Sequence, residues 1–418
     1  MRYIIQGREK LEGQVRISGA KNAVLPMLAA TVLTSKPCLI HDAPDLRDVV
    51  VMSEILRRLG ARVRWLEHNG RRVLEVDPSV LSVSEVPEQL MREMRSSIFL
   101  MGPILGRLGR VRVSYPGGCA IGPRPIDLHL RGLEVLGASI SERYGYIHAE
   151  CHRLTGREVH LDFPSVGATE NVMMAAVLAS GVTTIRNAAK EPEIVDLQNF
   201  LNNMGARIKG AGLDSIRVEG VERLHGAEYA VSPDRIETGT FMAAAAVAGG
   251  EIRIENCIPE HLDAVTAKLR EAGVTVREES GTITVTARER PLAVDFKTLP
   301  YPGFPTDMQP QLMAVMCLAR GTSVVTETIF ENRFKHVEEL RRMGAQIKTE
   351  GRAAVVKGVE SLSGATVEAT DLRNGAALVL AGLAAEGTTV VNGVTHIDRG
   401  YERLEIKLAQ LGANIRRE

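Results

Sequence analysis

A glycine-rich stretch, Tyr115–Asp127, contains the thiol of Cys119, the side chain in it most suited to covalent chemistry. Its three glycines give the backbone freedom, which predicts a mobile lid or a loop that approaches a ligand closely. A lone cysteine is most often a small buried hydrophobe. Arg124 lies in the same stretch, however, and a nearby cation favours a reactive thiolate. Residue type alone leaves both interpretations of Cys119 open.

Cations recur in the loops that precede the predicted helices. They are Lys21, Arg95, Arg124, Arg333, Arg373 and Arg399. Arginine matches phosphate and carboxylate groups through paired, charge-assisted hydrogen bonds, each worth about 1.5–3 kcal/mol. If these loops converge, they form a site for a strongly anionic small molecule. The residue types by themselves favour the alternative, six unrelated solvated charges.

The elements that position these loops follow from a pattern that occurs six times. Each copy is a predicted helix that ends in Leu-Gly-Ala or a close relative, with a predicted strand directly after it. The glycines are Gly60, Gly137, Gly205, Gly273, Gly344 and Gly412, separated by 77, 68, 68, 71 and 68 residues. Such a period indicates one supersecondary unit used repeatedly. The longest spacing contains the Cys119 stretch. Features shared by all six copies therefore indicate the scaffold, and features of one copy alone indicate the candidate site.

Each unit also contains an earlier, Ala-rich helix. One example is residues 241–247, which are apolar on all sides and are expected to be buried. The later helix of each unit is amphipathic. In the fourth unit, Val265 and Leu269 lie four residues apart, while Lys268 and Arg270 are available for solvent.

These patterns predict an α/β fold of two inside-out domains, each made of three repeated units with buried central helices. We expect one domain to span residues 22–229 and to carry the Cys119 lid loop. The second is expected to comprise residues 1–21 and 230–418. The active site is expected in the cleft between the two domains.

The composition argues against several classes of function. The chain has 418 residues and a formal net charge of zero, which removes the electrostatic footprint of a general nucleic-acid binder. Its five cysteines lack clustered spacing, which favours a reducing compartment. No apolar run approaches the roughly 20 residues of a membrane span, and no P-loop or strand-linked GxGxxG is present. We expect a cytoplasmic protein without nucleic-acid, membrane or obligate protein partners.

Motifs along the whole chain identify a family resemblance. They are SGAKNA, PGGCAIGPRPIDLH, SVGAT, EPEIVD, PDRIETGTF, FPTDMQ, ENRF, ATDLR and HIDRGYER. Through them the chain resembles the enolpyruvyl transferases, and the Cys119 loop separates it from the sibling enzyme that acts on shikimate 3-phosphate. The resemblance implies transfer of the enolpyruvyl group of phosphoenolpyruvate to the 3′-hydroxyl of UDP-N-acetylglucosamine. Phosphate leaves by addition and then elimination, in the first committed step of peptidoglycan synthesis. No metal and no organic cofactor is implied.

The resemblance also implies roles for individual residues. The catalytic residues would be Cys119, Asp307, Lys21 and Arg399. Cys119 matches the residue that protonates the methylene carbon and can form a covalent adduct, and Asp307 resembles the carboxylate that accepts the hydroxyl proton. The residues that match the phosphoenolpyruvate site are Lys21, Asn22, Arg124 and Arg399.

Further residues match the nucleotide-sugar site and the surrounding cleft. The nucleotide-sugar residues are Arg95, Arg124, Pro125, Ile126, Asp127, Leu128, Ser165, Val166, Gly167, Asp307 and Ile329. The other cleft residues are Glu191, Asp234, Arg333, Asp371 and Arg373. Phe163 stands where some relatives carry a charged residue, so contacts to the uridine diphosphate are expected to differ there.

Two other functions stay open. The first is transfer to shikimate 3-phosphate on the same fold. The second is a non-catalytic assembly of six repeats, such as a ring-forming clamp, which would bind nucleic acid through a basic inner surface. Neutral charge and the irregular second repeat argue against the clamp.

Overall fold

The computed structural model describes residues 1–68, 71–117 and 125–418. Cys119 and Arg124 therefore lie outside the described residues. Within the described ranges, no helix combines the length and apolar character that a membrane span requires.

Strands and helices alternate along the chain. The strands are β1 (Arg2–Gln6), β2 (Leu11–Arg16), β3 (Cys38–His41), β4 (Arg62–His68), β5 (Arg71–Asp77), β6 (Arg110–Ser114), β7 (Ser139–Arg143), β8 (Tyr146–Glu150), β9 (Glu158–His160), β10 (Val182–Arg186), β11 (Arg207–Lys209), β12 (Ser215–Glu219), β13 (Glu228–Ala230), β14 (Gly250–Glu255), β15 (Thr275–Glu279), β16 (Thr282–Ala287), β17 (Phe296–Lys297), β18 (Thr322–Thr326), β19 (Gln346–Glu350), β20 (Ala353–Lys357), β21 (Thr366–Glu368), β22 (Thr388–Asn392) and β23 (Asn414–Arg417). The helices are α1 (Lys21–Ala30), α2 (Arg47–Arg58), α3 (Glu88–Glu93), α4 (Met101–Leu108), α5 (Asp127–Val135), α6 (Val166–Ala176), α7 (Pro192–Asn203), α8 (Arg235–Ala248), α9 (Asp263–Glu271), α10 (Gln309–Cys317), α11 (Val337–Arg342), α12 (Leu372–Ala384), α13 (Val394–Ile397) and α14 (Leu404–Gln410). Short 3-10 segments cover Thr31–Leu33, Arg95–Leu100, Pro259–His261 and Thr306–Met308.

The described residues form six small sheets, one for each repeat. Their strand orders are β13-β3-β5-β4, β6-β8-β7, β11-β12-β10-β9, β15-β16-β14-β2, β17-β18-β20-β19 and β21-β22-β1-β23. In the third repeat, β10 runs parallel to β9 and antiparallel to β12, and β12 pairs antiparallel with β11. In the second repeat, the parallel partner is reduced to a single bridge between Glu85 and Arg112.

The described chain divides into two compact units. The terminal unit comprises Met1–Ser18 and Pro233–Glu418, and the middle unit comprises the described residues from 19 to 232. The chain passes between them after Ser18 and after Ser232, close to the positions 21/22 and 229/230 expected from the sequence. Each unit has its own hydrophobic core and three of the six sheets.

Buried helices lie at the centre of both units. In the terminal unit α8, α10 and α12 contact one another, and every residue of α10 is buried. In the middle unit α4 contacts α6, and α1 contacts the 3-10 segment that leads into α4. The later helices have one buried side, as in α9, where Val265 and Leu269 are buried and Arg270 is exposed. The predicted α/β fold of three-unit domains with buried central helices is confirmed.

The six Leu-Gly-Ala turns share one backbone conformation. The φ angle of Gly60 is 104°, and those of the other five glycines lie between 85° and 100°. The amide of Gly60 donates to the carbonyl of Arg57, and the amide of Ala61 donates to the carbonyl of Leu56. This pair of bonds is the Schellman motif that closes a helix C-terminus, and it occurs in all six copies. A left-handed φ explains why glycine occupies the turn.

Gly344 separates the effect of this conformation from the effect of crowding. Its φ is 91°, and a Cβ added there would meet nothing within 4 Å. We expect Gly344→Ala to destabilise the terminal unit by about 1–2 kcal/mol, because alanine pays the left-handed penalty. Gly344→Asn should cost less, since asparagine tolerates this region. Calorimetric unfolding of the three proteins measures both effects, and equal stability of the Gly344→Ala variant and the wild-type protein would contradict them.

Candidate active site

Asp307 is held by two buried arginines of the terminal unit. Its Oδ1 accepts a hydrogen bond from Arg333 Nη2 at 3.0 Å, and its Oδ2 accepts one from Arg373 Nε at 3.1 Å. The side chains of Arg333 and Arg373 are 2% and 1% exposed, whereas that of Asp307 is 28% exposed. The two arginines therefore fix the orientation of a carboxylate that solvent can still reach.

Arg373 is held from a second side by Tyr401. Its guanidinium carbon lies 5.3 Å from the centroid of the Tyr401 ring. Burial by itself lowers the pKa of Arg373, but Tyr401 and Asp307 raise it by more than burial lowers it. The net shift is upward, so the side chain stays charged. The Tyr401 hydroxyl contacts Thr240 Oγ1 at 2.9 Å and accepts a hydrogen bond from Gln311 Nε2 at 3.1 Å.

Glu327 connects the loop of Ile329 to the segment that carries Asp307. Its Oε1 accepts hydrogen bonds from the amides of Ile329 at 2.8 Å and Phe330 at 3.1 Å. Its Oε2 accepts one from the hydroxyl of Thr306 at 3.0 Å. The side chain follows β18 directly and is 1% exposed. Glu327 was not among the residues predicted from the sequence, although it directly follows a predicted strand.

Asp234 and Asp371 are helix caps. Asp234 Oδ1 accepts hydrogen bonds from the amides of Ile236 and Glu237 at the start of α8. Asp371 Oδ1 does the same for the amides of Arg373 and Asn374 at the start of α12. Side-chain caps of this kind satisfy helix amides that have no partner within the helix. Both residues therefore shape the helix N-termini from which site side chains extend.

His336 is a buried neutral imidazole near Arg333. Burial and the adjacent Arg333 lower its pKa to about 3, so it carries no charge at neutral pH. Among the described residues, neither ring nitrogen has a hydrogen-bond partner. It lies two residues after the ENRF motif but was not among the residues predicted from the sequence.

Arg399 is half-buried in the short loop between α13 and α14. We call residues 398–403 the Arg399 loop. The amide of Arg399 donates to the carbonyl of His396 at 3.3 Å, which continues the last turn of α13.

Lys21 is paired with Asp48 in the middle unit. The ammonium of Lys21 lies 2.8 Å from Asp48 Oδ2, and the two side chains are 9% and 2% exposed. Asn22, the next residue of α1, is half-buried. The interpretation of the six cations as solvated charges is therefore wrong for Lys21, Arg333 and Arg373, all of which are buried in ion pairs.

The N-terminus of α6 carries the predicted nucleotide-sugar residues Ser165, Val166 and Gly167. Ser165 Oγ accepts a long hydrogen bond of 3.4 Å from the amide of Ala168. A Cβ added at Gly167 would lie 3.1 Å from His129 Cε1 and 3.2 Å from a ring carbon of Phe99. Glycine therefore allows the close approach of two rings to this helix end.

Asn171 determines which nitrogen of His129 is protonated. Its Oδ1 accepts a hydrogen bond from the amide of Gly102 at 2.6 Å, which fixes the orientation of the side-chain amide. Its Nδ2 therefore donates to His129 Nδ1 at 3.0 Å. A neutral His129 then carries its proton on Nε2, the nitrogen nearer to Gly167.

The remaining predicted nucleotide-sugar residues of this unit lie at two other helix starts. Arg95 is half-buried at the first position of the 3-10 segment before α4. Asp127 is exposed at the first position of α5. Pro125 before it is exposed, Ile126 is buried, and Leu128 is half-buried. These residues share one feature with Ser165, a position at the start of a helix.

A buried carboxyl group, Glu170, lies in α6 near Glu191 and Glu193. Its side chain is 1% exposed, and neither carboxyl oxygen has a hydrogen-bond partner among the described residues. Burial, and then the charges of Glu193 and Glu191, raise the pKa of Glu170 well above its ordinary value. Glu191, which immediately precedes α7, was predicted from the sequence, whereas Glu170 and Glu193 were not.

The raised pKa of Glu170 predicts a pH-dependent stability. Folding favours the neutral form of this carboxyl group. The contribution of Glu170 to the free energy of unfolding is therefore full below the unfolded pKa of about 4.3 and is lost as the pH rises through the higher folded pKa. We expect Glu170→Gln to raise the melting temperature relative to wild type more at pH 8 than at pH 5. The exposed Glu134, changed to Gln, is the matched control. Parallel pH profiles for wild type and the Glu170→Gln variant would contradict this assignment.

Among the described residues, no group of three His, Cys, Asp or Glu side chains is arranged to hold a metal ion. Taken unit by unit, the polar groups of the candidate residues are arginines, lysine, carboxylates and amides at helix N-termini. They are suited to hold phosphate and carboxylate groups and to accept a proton.

Comparison with known proteins identifies the family. Residues 5–408 match the family model of EPSP synthase (3-phosphoshikimate 1-carboxyvinyltransferase). A relative from Symbiobacterium thermophilum, UDP-N-acetylglucosamine 1-carboxyvinyltransferase 1, is 63% identical over 100% of this chain and 95% of its own length. A relative of the same name from Caldanaerobacter subterraneus subsp. tengcongensis is 57% identical over 100% of this chain and 99% of its own length.

Solved structures agree with this result. The enolpyruvyl transferase NikO from Streptomyces tendae is 27% identical, with a TM-score of 0.89 over 99% of this chain and 98% of its own. An EPSP synthase from Acinetobacter baumannii shares the fold at 17% identity, with a TM-score of 0.75 over 100% of this chain and 99% of its own. The chain belongs to the enolpyruvyl transferase family that the EPSP synthase model describes.

Proposed function

We propose that this protein transfers the enolpyruvyl group of phosphoenolpyruvate to the 3′-hydroxyl of UDP-N-acetylglucosamine and releases phosphate. The observation that carries the proposal is the full-length identity, 63% and 57%, to relatives named for this activity. The reaction is the first committed step of peptidoglycan synthesis. We place it in the cytoplasm, in keeping with the unclustered cysteines.

The chemistry proceeds by addition and then elimination. The 3′-oxygen bonds to C2 of phosphoenolpyruvate while C3 gains a proton, which gives a tetrahedral intermediate. C3 then loses a proton as the C2–O bond to phosphate breaks, which restores the double bond. Each step needs a group that moves a proton and cations that stabilise the phosphate and carboxylate.

Asp307 is the proposed acceptor of the hydroxyl proton. Arg333 donates a hydrogen bond to one of its oxygens, and Arg373 donates to the other. The Asp307 side chain is 28% exposed, so a substrate hydroxyl can approach it. Both arginines are buried and have a second contact, Arg333 with the carbonyl of Thr306 and Arg373 with the ring of Tyr401. The carboxylate therefore meets the hydroxyl without first having to be ordered.

Lys21, Arg399 and Arg124, with Asn22 beside Lys21, are the proposed ligands of phosphoenolpyruvate. Lys21 is already held by Asp48 at 2.8 Å, which fixes its ammonium at the start of α1. An incoming phosphate would share this ammonium with Asp48. Arg124 lies outside the described residues, and its role rests on the family motif.

The proposed nucleotide-sugar ligands include Arg95, residues 124–128, residues 165–167 and Ile329. The amides at the start of α6 suit a diphosphate, because helix N-termini favour anions. Ile329 lies in the turn that Glu327 organises, next to the segment of Asp307. The proposed substrate ligands thus include residues of each unit.

Cys119 is the proposed acid that protonates C3 and the site of a covalent adduct. It lies outside the described residues, and this role rests on its match to the family motif. Glu191, Asp234, Arg333, Asp371 and Arg373 are proposed as cleft residues. For Asp234 and Asp371 the helix caps support this role, since they hold the helix N-termini in place.

Phosphate release identifies the acceptor. With phosphoenolpyruvate present, UDP-N-acetylglucosamine should give stoichiometric phosphate and an enolpyruvyl product of matching mass. Shikimate 3-phosphate should give none above background. Release with shikimate 3-phosphate alone would replace the proposal with the rival transferase, and release with neither acceptor would favour a non-catalytic protein.

Asp307→Asn tests the proton acceptor. The amide keeps the size of the side chain but is a very weak base, so we expect kcat to fall by about 10²-fold or more. Asp263→Asn, at the exposed start of α9, is the control and should leave kcat unchanged. Because Asp307→Asn also weakens two ion pairs, the melting temperature of each variant is measured alongside. A folded Asp307→Asn variant with wild-type kcat would exclude Asp307 as the base.

A further inference from the structure

The Arg399 loop is tied to the rest of the terminal unit through three of its residues. Asp398 pairs with Arg417 on β23, Tyr401 contacts α8 and α10 through Thr240 and Gln311, and Glu402 accepts a hydrogen bond from Ser18 at 2.5 Å. These anchors lie on both sides of Arg399 in the sequence.

The pair of Asp398 and Arg417 has the two-pronged geometry of a strong ion pair. Arg417 Nη1 donates to Asp398 Oδ1 at 3.0 Å, and Nη2 donates to Oδ2. The side chains are 31% exposed for Arg417 and 26% for Asp398, so solvent screens the pair only in part. The hydrogen bonds to Asp398 raise the pKa of Arg417. A fork of this kind fixes direction as well as distance.

Arg417 is itself held in place by neighbours. Glu405 Oε1 lies 3.5 Å from Arg417 Nη1, and the Tyr3 ring centroid lies 5.9 Å from its guanidinium carbon. The Tyr3 hydroxyl donates to Glu405 Oε2 at 2.8 Å. The anchor of Asp398 is therefore part of a packed network rather than a single flexible side chain.

The backbone of the loop packs closely against α12 at Gly400. A Cβ added there would lie 2.3 Å from Leu372 Cδ1. Tyr401 also contacts Arg373, which holds Asp307. The chain of contacts thus leads from β23 through the Arg399 loop to the carboxylate of the candidate site.

We propose that Arg417, through its fork with Asp398, is a positioning residue that presets Arg399 for an anionic group of phosphoenolpyruvate. The inference rests on the proposed function. An arginine on an ordered loop loses less entropy when it binds an anion than one on a loose loop, so the fork favours binding of this substrate. Arg417 itself does not touch substrate.

The adjacent residue, Arg416, provides the matched control. It is the same residue type on the same strand, and its neighbouring position places it on the other face of the sheet. It pairs with Glu418 at 3.1 Å, and its side chain is 66% exposed. Arg416→Ala removes an arginine from β23 and leaves the fork intact.

The test compares Arg417→Ala, Arg417→Lys and Arg416→Ala with wild type in steady-state phosphate release. For Arg417→Ala we expect KM for phosphoenolpyruvate to rise by about tenfold or more, while KM for UDP-N-acetylglucosamine changes by less than about twofold. Arg417→Lys should recover part of the loss, because it keeps the charge but not the fork. Arg416→Ala should match wild type. Equal rises in both KM values, or a rise shared with Arg416→Ala, would mean a merely structural role.

A double-mutant cycle tests whether the fork acts as a pair. Asp398→Asn should reproduce the effect of Arg417→Ala, and the double variant should be no worse than the more affected single variant. Fully additive losses in phosphoenolpyruvate KM would show that Arg417 acts by another route.

Hydrogen exchange provides a readout that does not depend on activity. Amides in a peptide covering residues 398–403 should exchange faster in Arg417→Ala than in Arg416→Ala, while peptides from α10 should be unchanged. Unchanged exchange in the loop overturns the positioning role even if the enzyme is active. Absence of phosphate release by wild-type protein would instead refute the proposed function.

Discussion

A helix without a polar side must be covered in every direction, and the rest of this structure depends on that requirement. Each repeat contributes one central helical segment, which other helices and a small sheet cover within its unit. The middle of such a helix cannot carry exposed charge without loss of burial free energy. Polar groups are therefore concentrated at the N-termini, where unpaired amides need partners. Ser165, Asp234 and Asp371 all occupy such positions.

This placement explains why the candidate site contains buried charge. Arg333 and Arg373 would be costly to bury alone, and Asp307 forms an ion pair with each of them. Lys21 is compensated by Asp48 in the same way. Because these ions are held by partners instead of water, their geometry is set before any ligand arrives. His336 avoids the cost differently, since it stays neutral beside Arg333.

Local signals in the sequence predicted the scaffold well. A glycine at a helix end and a continuous apolar helix are both recognised from residues a few positions apart. The six turns and the buried helices could therefore be identified directly from the sequence. Pairing between distant residues could not. Asp307 and Arg373 are 66 positions apart, and nothing in either residue type indicates the partner. Lys21 was interpreted as a solvated cation for the same reason. Its partner Asp48 lies on the next helix, and the sequence does not show that the two residues pair. Family motifs supplied the site residues that physical patterns alone left open.

The Leu-Gly-Ala turns close each repeat through hydrogen bonds that span only six residues, from Leu56 to Ala61 in the first copy. The conformation of a turn closed so locally does not depend on the length of the loops elsewhere in its repeat. An insertion in a loop therefore leaves the turn unchanged. The second repeat is longer than the others, and its turn at Gly137 keeps the shared φ angle. A new activity can therefore arise in this architecture through changes in the loops that precede the helices. The Leu-Gly-Ala turns at the helix C-termini keep the fold of each repeat unchanged.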